Sequence, residues 1–473
     1  MLTTPVLRRL PSRRQVLLAA LAALVFLVSL LTYQNGSLNF SVYRLDLDVY
    51  RVGAQAWLHG KDLYGTLPPI SDGLSEPFTY PPISAVVMAP LAMVSTTLAG
   101  VLMTAVSLSL LICVLVLFLR ATKLADGPGS WKLAIALLPL AVLIEPVRTT
   151  LAYGQINIVL MALVSADCLL PSTWFTVRGR RVGWPRGALT GLAAGLKLTP
   201  MVFLLYFVGR KDWRGARNLV GGFAVATTLG FIFCPSDSWQ YWTSKVFQTN
   251  RIGLPFFSSN QSITGVLYRA QLTGSAENRT WLAVCAVIGV IALTAVYKAA
   301  KEGRQVTALA LAACTELLVS PVSWSHHWVW AAPVLVCALV KGWRQRRTVG
   351  RRYLSITAAV AAVFLSEPQI WFPHTGSREL HWGLWEQIIG SAYVWVALVT
   401  LCIFAFRPAR PAAEQSVVGS DQAGGEAASS DATVVAKPEP DAEAEADAEA
   451  AELDTDLGTA TDKEPASSSP SRR

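Results

Sequence analysis

Between Val16 and Phe406 the chain is a succession of apolar runs separated by short polar segments. Each run is about 15–23 residues long, the length a helix needs to cross hydrocarbon. Inside a bilayer no water satisfies backbone N–H and C=O groups, so a spanning segment must bond to itself as a helix. The pattern therefore predicts an all-α polytopic membrane protein with roughly 11–13 transmembrane helices. The first span is Val16 to Tyr33, preceded by Arg8, Arg9, Arg13 and Arg14. Further spans are expected near 98–119, 131–145, 153–170, 187–208, 217–234, 281–299, 305–319, 325–341, 353–366 and 387–406. With 53% hydrophobic and 15% charged residues, a soluble domain of this size would lack the charge to cover its surface.

The formal charge of +9 does not point to nucleic acid, because it sums two opposed parts. After Phe406 the chain carries 15 acids and 6 bases, leaving 34 bases and 16 acids in the body. Those bases cluster at Arg178–Arg186, Arg210–Arg217 and Lys341–Arg352, and the positive-inside rule puts all three in the cytoplasm. The stretch 187–208 then has cytoplasmic charge at both ends, so it should be two half-helices bent at Lys197-Leu198-Thr199-Pro200. Residues 34–80, 235–280, 320–327 and 367–386 fall on the outer face by the same rule. Three regions follow: a cytoplasmic basic amino terminus (1–15), a membrane body (16–406), and an acidic cytoplasmic tail (407–473). The tail is Ala, Glu, Asp, Ser and Pro rich, too polar to fold, and is expected to be disordered. The protein is placed in the plasma membrane as a multi-pass chain with both termini inside.

The polar groups that carry chemistry gather on the outer face. Asp46 and Asp48 open the loop after the first span, where an ionisable group beside the apolar phase is a functional candidate. Spaced by two, they face the same side of a strand but lie about 200° apart on a helix. Val49 to Leu58 is expected to form a short helix on the membrane surface, and Pro81-Pro82 opens another. Desolvation would raise an aspartate here toward the working range of a general base. His326 and His327, in SPVSWSHHWVW, diverge by about 100° on a helix, so only one need enter a cavity. Arg148, Lys197 and Arg251 are candidate phosphate contacts. Gln155 and Asn157 place two amides within a span. Tyr80, in FTYPP, and Asn260 and Gln261, in LPFFSSNQSITG, add aromatic and amide groups of the kind that bind sugar. The seven cysteines show no metal-ligand spacing, and no metal or other cofactor is expected.

The motifs DLDVYRVGAQAWLHGKDLY, FTYPP, LAYGQIN, GLKLTP, NQS and SPVSWSHHWVW, in this order, resemble the glycosyltransferase 87 family. That resemblance implies a GT-C-like bundle and a polyprenol-phosphate-mannose-dependent α-1,2-mannosyltransferase of the actinobacterial envelope. It implies that the first acid of the D-L-x-V-Y motif, Asp46, is catalytic, and that Asp48 occupies a variable position. The family's histidine falls on His326 or His327. The implied partners are a lipid-linked sugar donor, a glycolipid or lipoglycan acceptor and membrane lipid. Asp46 would deprotonate the acceptor hydroxyl while Lys197, His327 or an arginine meets the donor phosphate, and the anomeric carbon inverts. Two alternatives stand beside this one: an arabinofuranosyltransferase with a polyprenyl-phosphate-arabinose donor, and a non-enzymatic transporter of lipid-linked sugar.

Overall fold

The computed structural model describes residues 44–408 except 72, 172–174, 178–179 and 348–349, together with the strand pair at 33–34 and 37–38. The amino terminus and the first expected span, save Tyr33 at its end, lie outside these residues. So does the tail from 409 onward, and the chain divides into units at Ala409.

Every apolar run expected between 98 and 406 holds a helix. The outer-loop helix α1 (Leu45–Leu58) begins four residues earlier than the hydrophobic pattern alone indicates, and takes in both aspartates. Its neighbour α2 (Ile83–Ala92) starts at Pro82, where a missing N–H leaves no bond unmade. Among the described residues, three helices are long and apolar enough by themselves to cross a bilayer: α3 (Thr96–Ala121), α9 (Trp213–Phe233) and α12 (Gly274–Lys301). Only 22% of the apolar window of α12 is buried within the protein. An apolar surface that open is at rest in lipid and not in water. Ser95 caps α3 by accepting from the Leu98 N–H, one of the orphan donors of a helix start.

The remaining helices are short or broken, and the breaks converge on one region. Helix α4 (Gly127–Leu143) meets α5 (Glu145–Tyr153) at an 83° bend. Gly154 ends α5 in the left-handed region (φ 69°), and α6 (Asn157–Leu169) starts three residues later. The run expected at 153–170 is therefore interrupted at its outset, and Gln155 lies in the break. Helix α7 (Ala188–Leu196) stops at Lys197, whose backbone is extended (φ −149°, ψ 123°). A 3-10 segment (Thr199–Phe203) and α8 (Leu204–Gly209) follow, so the expected break at Lys197–Pro200 is present. Helix α7 reads GALTGLAAGL from its cap, and a Cβ at Gly191 would come within 2.1 Å of the Leu219 carbonyl in α9. Small residues at four-residue spacing let α7 and α9 touch backbone to backbone, which fixes the height of the Lys197 break.

Beyond α9 come α10 (Pro235–Thr243) and α11 (Ile263–Arg269) in the second outer loop, then α12 and α13 (Gln305–Val319). A 3-10 segment (Ser325–Trp330) leads into α14 (Ala331–Arg344), and α15 (Gly350–Ser366), α16 (Leu384–Gly390) and α17 (Ala392–Phe406) complete the bundle. A second strand pair, Phe175–Val177 with Arg180–Val182, forms a hairpin between α6 and α7. All seven cysteines are free thiols.

Candidate active site

Because α1 is helical from Leu45, Asp46 and Asp48 point apart, and the structure separates their roles. Asp48 turns inward: its Oδ2 accepts from the Ser71 N–H (2.7 Å) and hydroxyl (2.6 Å), and Arg51 lies 3.6 Å from Oδ1. It anchors the outer loop to α1. Asp46 faces a cavity of about 530 Å³ whose walls come from α1, the 76–81 loop, the Lys197 break, the second outer loop, α12, α13 and the Ser320–His327 stretch.

Asp46 is set by a small aromatic and amide scaffold. The Tyr50 hydroxyl, one turn along α1, donates to Gln155 Oε1 at 2.6 Å, and Tyr80 closes the group at 3.2 Å from Tyr50. The Gln155 amide nitrogen lies 3.5 Å from the Tyr80 hydroxyl, and its side chain is also a hydrogen-bond partner of Asp46. Burial pushes the Asp46 carboxyl up to about 6, against the opposing pull of the Gln155 hydrogen bond and the Lys197 charge. A carboxylate with that value is mostly ionised at neutral pH yet more basic than an exposed aspartate.

Lys197 lines the same cavity. Its ammonium donates to Asn157 Oδ1 and to His327 Nε2, each at 3.1 Å, and lies 5.8 Å from the Tyr80 ring centroid. A lysine ammonium has no acceptor capacity, so His327 Nε2 is the accepting nitrogen and the ring proton sits on Nδ1. One of the three ammonium N–H groups is left for the cavity. Asn157 is the joint of this arrangement, since its Nδ2 also donates to the His326 carbonyl (3.0 Å). Thr150 donates to the same carbonyl at 2.7 Å. These bonds fix the histidine pair so that His327 lines the cavity while His326 is buried edge-on against Tyr153.

Several candidates are placed elsewhere. Arg148 is ion-paired with Glu367 and does not line the cavity. Asn260 is wholly buried; its Oδ1 accepts from Ser323 N (3.0 Å) and Ser262 Oγ (2.9 Å), and its Nδ2 donates to Pro255 O (2.9 Å) and Pro321 O. Gln261 donates to Ser258 O and Gly390 O. Neither amide lines the cavity: Asn260, its hydrogen bonds spent on the fold, clips the second outer loop to the SPVSW stretch, and Gln261 ties that loop to the end of α16. Arg251 does line the cavity, over the Tyr64 ring and 3.4 Å from the Phe78 carbonyl.

Glu316 was not among the candidates, yet it lines the cavity beside Lys197, with Thr199 and Trp330 as side-chain partners. Its signal was in plain view: one carboxylate inside the apolar run 305–319. Glu145 is a second buried carboxylate, accepting from Ser325 (2.8 Å), Thr149 (2.9 Å) and Tyr393 (2.9 Å). It braces the histidine segment from behind. Among the described residues no group of three His, Cys, Asp or Glu side chains is placed to hold a metal ion.

A membrane-embedded helical body enclosing a carboxylate opposite a lysine–histidine pair suits group transfer from a lipid-borne anion. The family model for glycosyltransferase family 87 matches residues 78–321, and the chain belongs to that family of membrane glycosyltransferases. Asp46 and His327 lie outside the matched stretch, so their assignment rests on the cavity. The chain is 39% identical over 380 residues to a polyprenol-phosphate-mannose-dependent α-(1-2)-phosphatidylinositol mannoside mannosyltransferase of Mycolicibacterium smegmatis, covering 76% of this chain and 83% of the relative. It is 37% identical over 373 residues to the Mycobacterium tuberculosis protein of that name, covering 76% and 84%. A phosphatidylinositol pentamannoside mannosyltransferase of Mycobacterium tuberculosis is 31% identical, covering 69% of this chain and 74% of the relative. No solved structure gives a significant match.

Proposed function

We propose that this protein transfers mannose from a polyprenyl-phosphate donor to a mannosyl residue of a phosphatidylinositol mannoside, forming an α-1,2 linkage with inversion. The observation that carries this reading is Asp46 standing across one cavity from the free N–H of Lys197 and from His327. The acceptor hydroxyl loses its proton to Asp46 as its oxygen bonds to the anomeric carbon. The bond from that carbon to the phosphate oxygen breaks, and the electron pair leaves with the lipid phosphate. Lys197 and His327 Nδ1–H meet the charge that builds there, so the reading needs no metal for the leaving group. Met201, Val202, Trp281 and Val319 supply an apolar wall beside the charged end, suited to the isoprenoid. The donor and acceptor named for the relatives support mannose and the inositol lipid, and the positive-inside pattern supports a site on the extracytoplasmic face.

Reconstitution with polyprenyl-phosphate-mannose and phosphatidylinositol mannoside tests it. Wild type should form an α-1,2-linked product, and Asp46→Asn should lose about 100- to 10,000-fold in turnover with expression intact. Near-normal turnover by Asp46→Asn would remove Asp46 from the role; transfer of arabinose in place of mannose would overturn the donor.

A further inference from the structure

The charged groups lining the cavity differ in how far the fold already occupies them. Lys197 bonds to Asn157 and His327, Arg251 lies over Tyr64, and Glu316 has Thr199 and Trp330. Glu76, in the loop between α1 and α2, also lines this cavity. Among the described residues it forms no ion pair or hydrogen bond, and its charge acts on Asp46, a like charge. Two carboxylates sharing a cavity repel, and the fold places no cation on Glu76 to offset this.

Lys197, beside His327, keeps an N–H for a ligand and draws an anionic phosphodiester, whereas Asp46 and Glu76 offer that anion only like charge. What suits two acceptor-only carboxylates is a neutral polyol, whose neighbouring hydroxyls each donate one hydrogen bond. One hydroxyl must lie on Asp46, because that is the proton to be removed. A sugar ring held there presents further hydroxyls within a few ångströms of it.

We propose that Glu76 binds the acceptor sugar, its carboxylate accepting from hydroxyls other than the attacking one and so fixing which hydroxyl reaches Asp46. This rests on the reading of Asp46 as the base. The two carboxylates then have separate tasks, Asp46 removing a proton and Glu76 holding the ring.

The test uses the full chain in detergent or liposomes, polyprenyl-phosphate-mannose as donor, and octyl α-mannoside with its 3-, 4- and 6-deoxy derivatives as acceptors. Glu76 has no partner to lose, so Glu76→Gln and Glu76→Ala should both fold. Both are expected to raise the acceptor KM about tenfold, the loss of one hydrogen bond to a charged group, while the donor KM stays unchanged. At least one deoxy acceptor should be poor for wild type and suffer no further loss in Glu76→Ala, because the group and its partner are then both gone. An unchanged acceptor KM, a rise confined to the donor KM, or the same added loss for every deoxy acceptor would overturn the proposal. Failure of the base reading is separable: Asp46→Asn with near-normal turnover removes both ideas, whereas inactive Asp46→Asn beside unaltered Glu76→Gln removes only this one.

Discussion

Asp46 owes its basicity to burial, and its position to a neighbour that pulls the other way. The cavity wall raises its carboxyl toward about 6, while Gln155 and then Lys197 hold it down. The base form is the one that works, so activity should rise with pH through that value and level off above it. Other titratable groups near the carboxyl are Tyr50, Tyr80, Tyr153, Glu76, His327 and Glu316. Lys197→Met removes a positive charge that favours the ionised carboxylate, and should move the acid limb to higher pH. A pH profile of residual transfer checks the sign; a limb shifted to lower pH would contradict the arrangement. The histidine pair gives a second residue-scale prediction. His327→Ala removes a donor at the phosphate and should lower turnover about 100-fold. His326→Phe keeps an edge-on ring against Tyr153 and should retain most of it, as parallel turnover measurements on the two variants would show.

At the scale of elements, the site is made from helix ends. Asp46 lies in the first turn of α1, Gln155 in the break between α5 and α6, Lys197 at the end of α7, and His327 in the 3-10 turn before α14. Breaks expose polar backbone and free side chains from the helical surface, which inside a membrane is tolerated only where a cavity or protein lines them. Gly154 is one of the close joints, and it touches α1 itself. A Cβ there would fall 2.7 Å from the Leu47 Cβ and 3.1 Å from the Arg44 side chain, at a backbone angle suited to glycine. Gly154→Ala should therefore push the start of α1 away from α5, destabilising the fold by about 1–3 kcal/mol. Transfer should fall further than that loss of folded protein explains. Comparing turnover per folded molecule with thermal stability distinguishes the two effects.

At the scale of the molecule, the apolar helices face lipid on one side and each other on the other, and the polar motifs close one cavity. The acidic tail begins as the last helix ends, and the chain divides at Ala409. A stop after Pro408 should leave transfer in reconstituted membranes within about twofold of wild type, since every cavity residue lies before it. A larger loss would give the tail a part in catalysis or assembly.

Hydropathy alone determined that this is a helical membrane protein, because the bilayer admits so few solutions. The break at Lys197 was also legible, from basic charge at both ends of an apolar run and a proline beside it. Asp46 was singled out by its place after a span and by a motif, although its partners were not visible. The motif already favoured Asp46 over Asp48; the tertiary structure adds the physical reason, since the helical start of α1 turns them apart and Ser71 claims the second. It alone put His327, and not His326, on the cavity, buried Asn260 and Gln261 away from it, and paired Arg148 with Glu367. A sequence shows that an amide or a cation exists, but not which hydrogen bonds have already consumed it. Glu316 is legible as a lone carboxylate in an apolar run, but Glu76 is an ordinary loop acid in the sequence, and what distinguishes it is the company it keeps across a cavity with segments some 240 residues away in the chain.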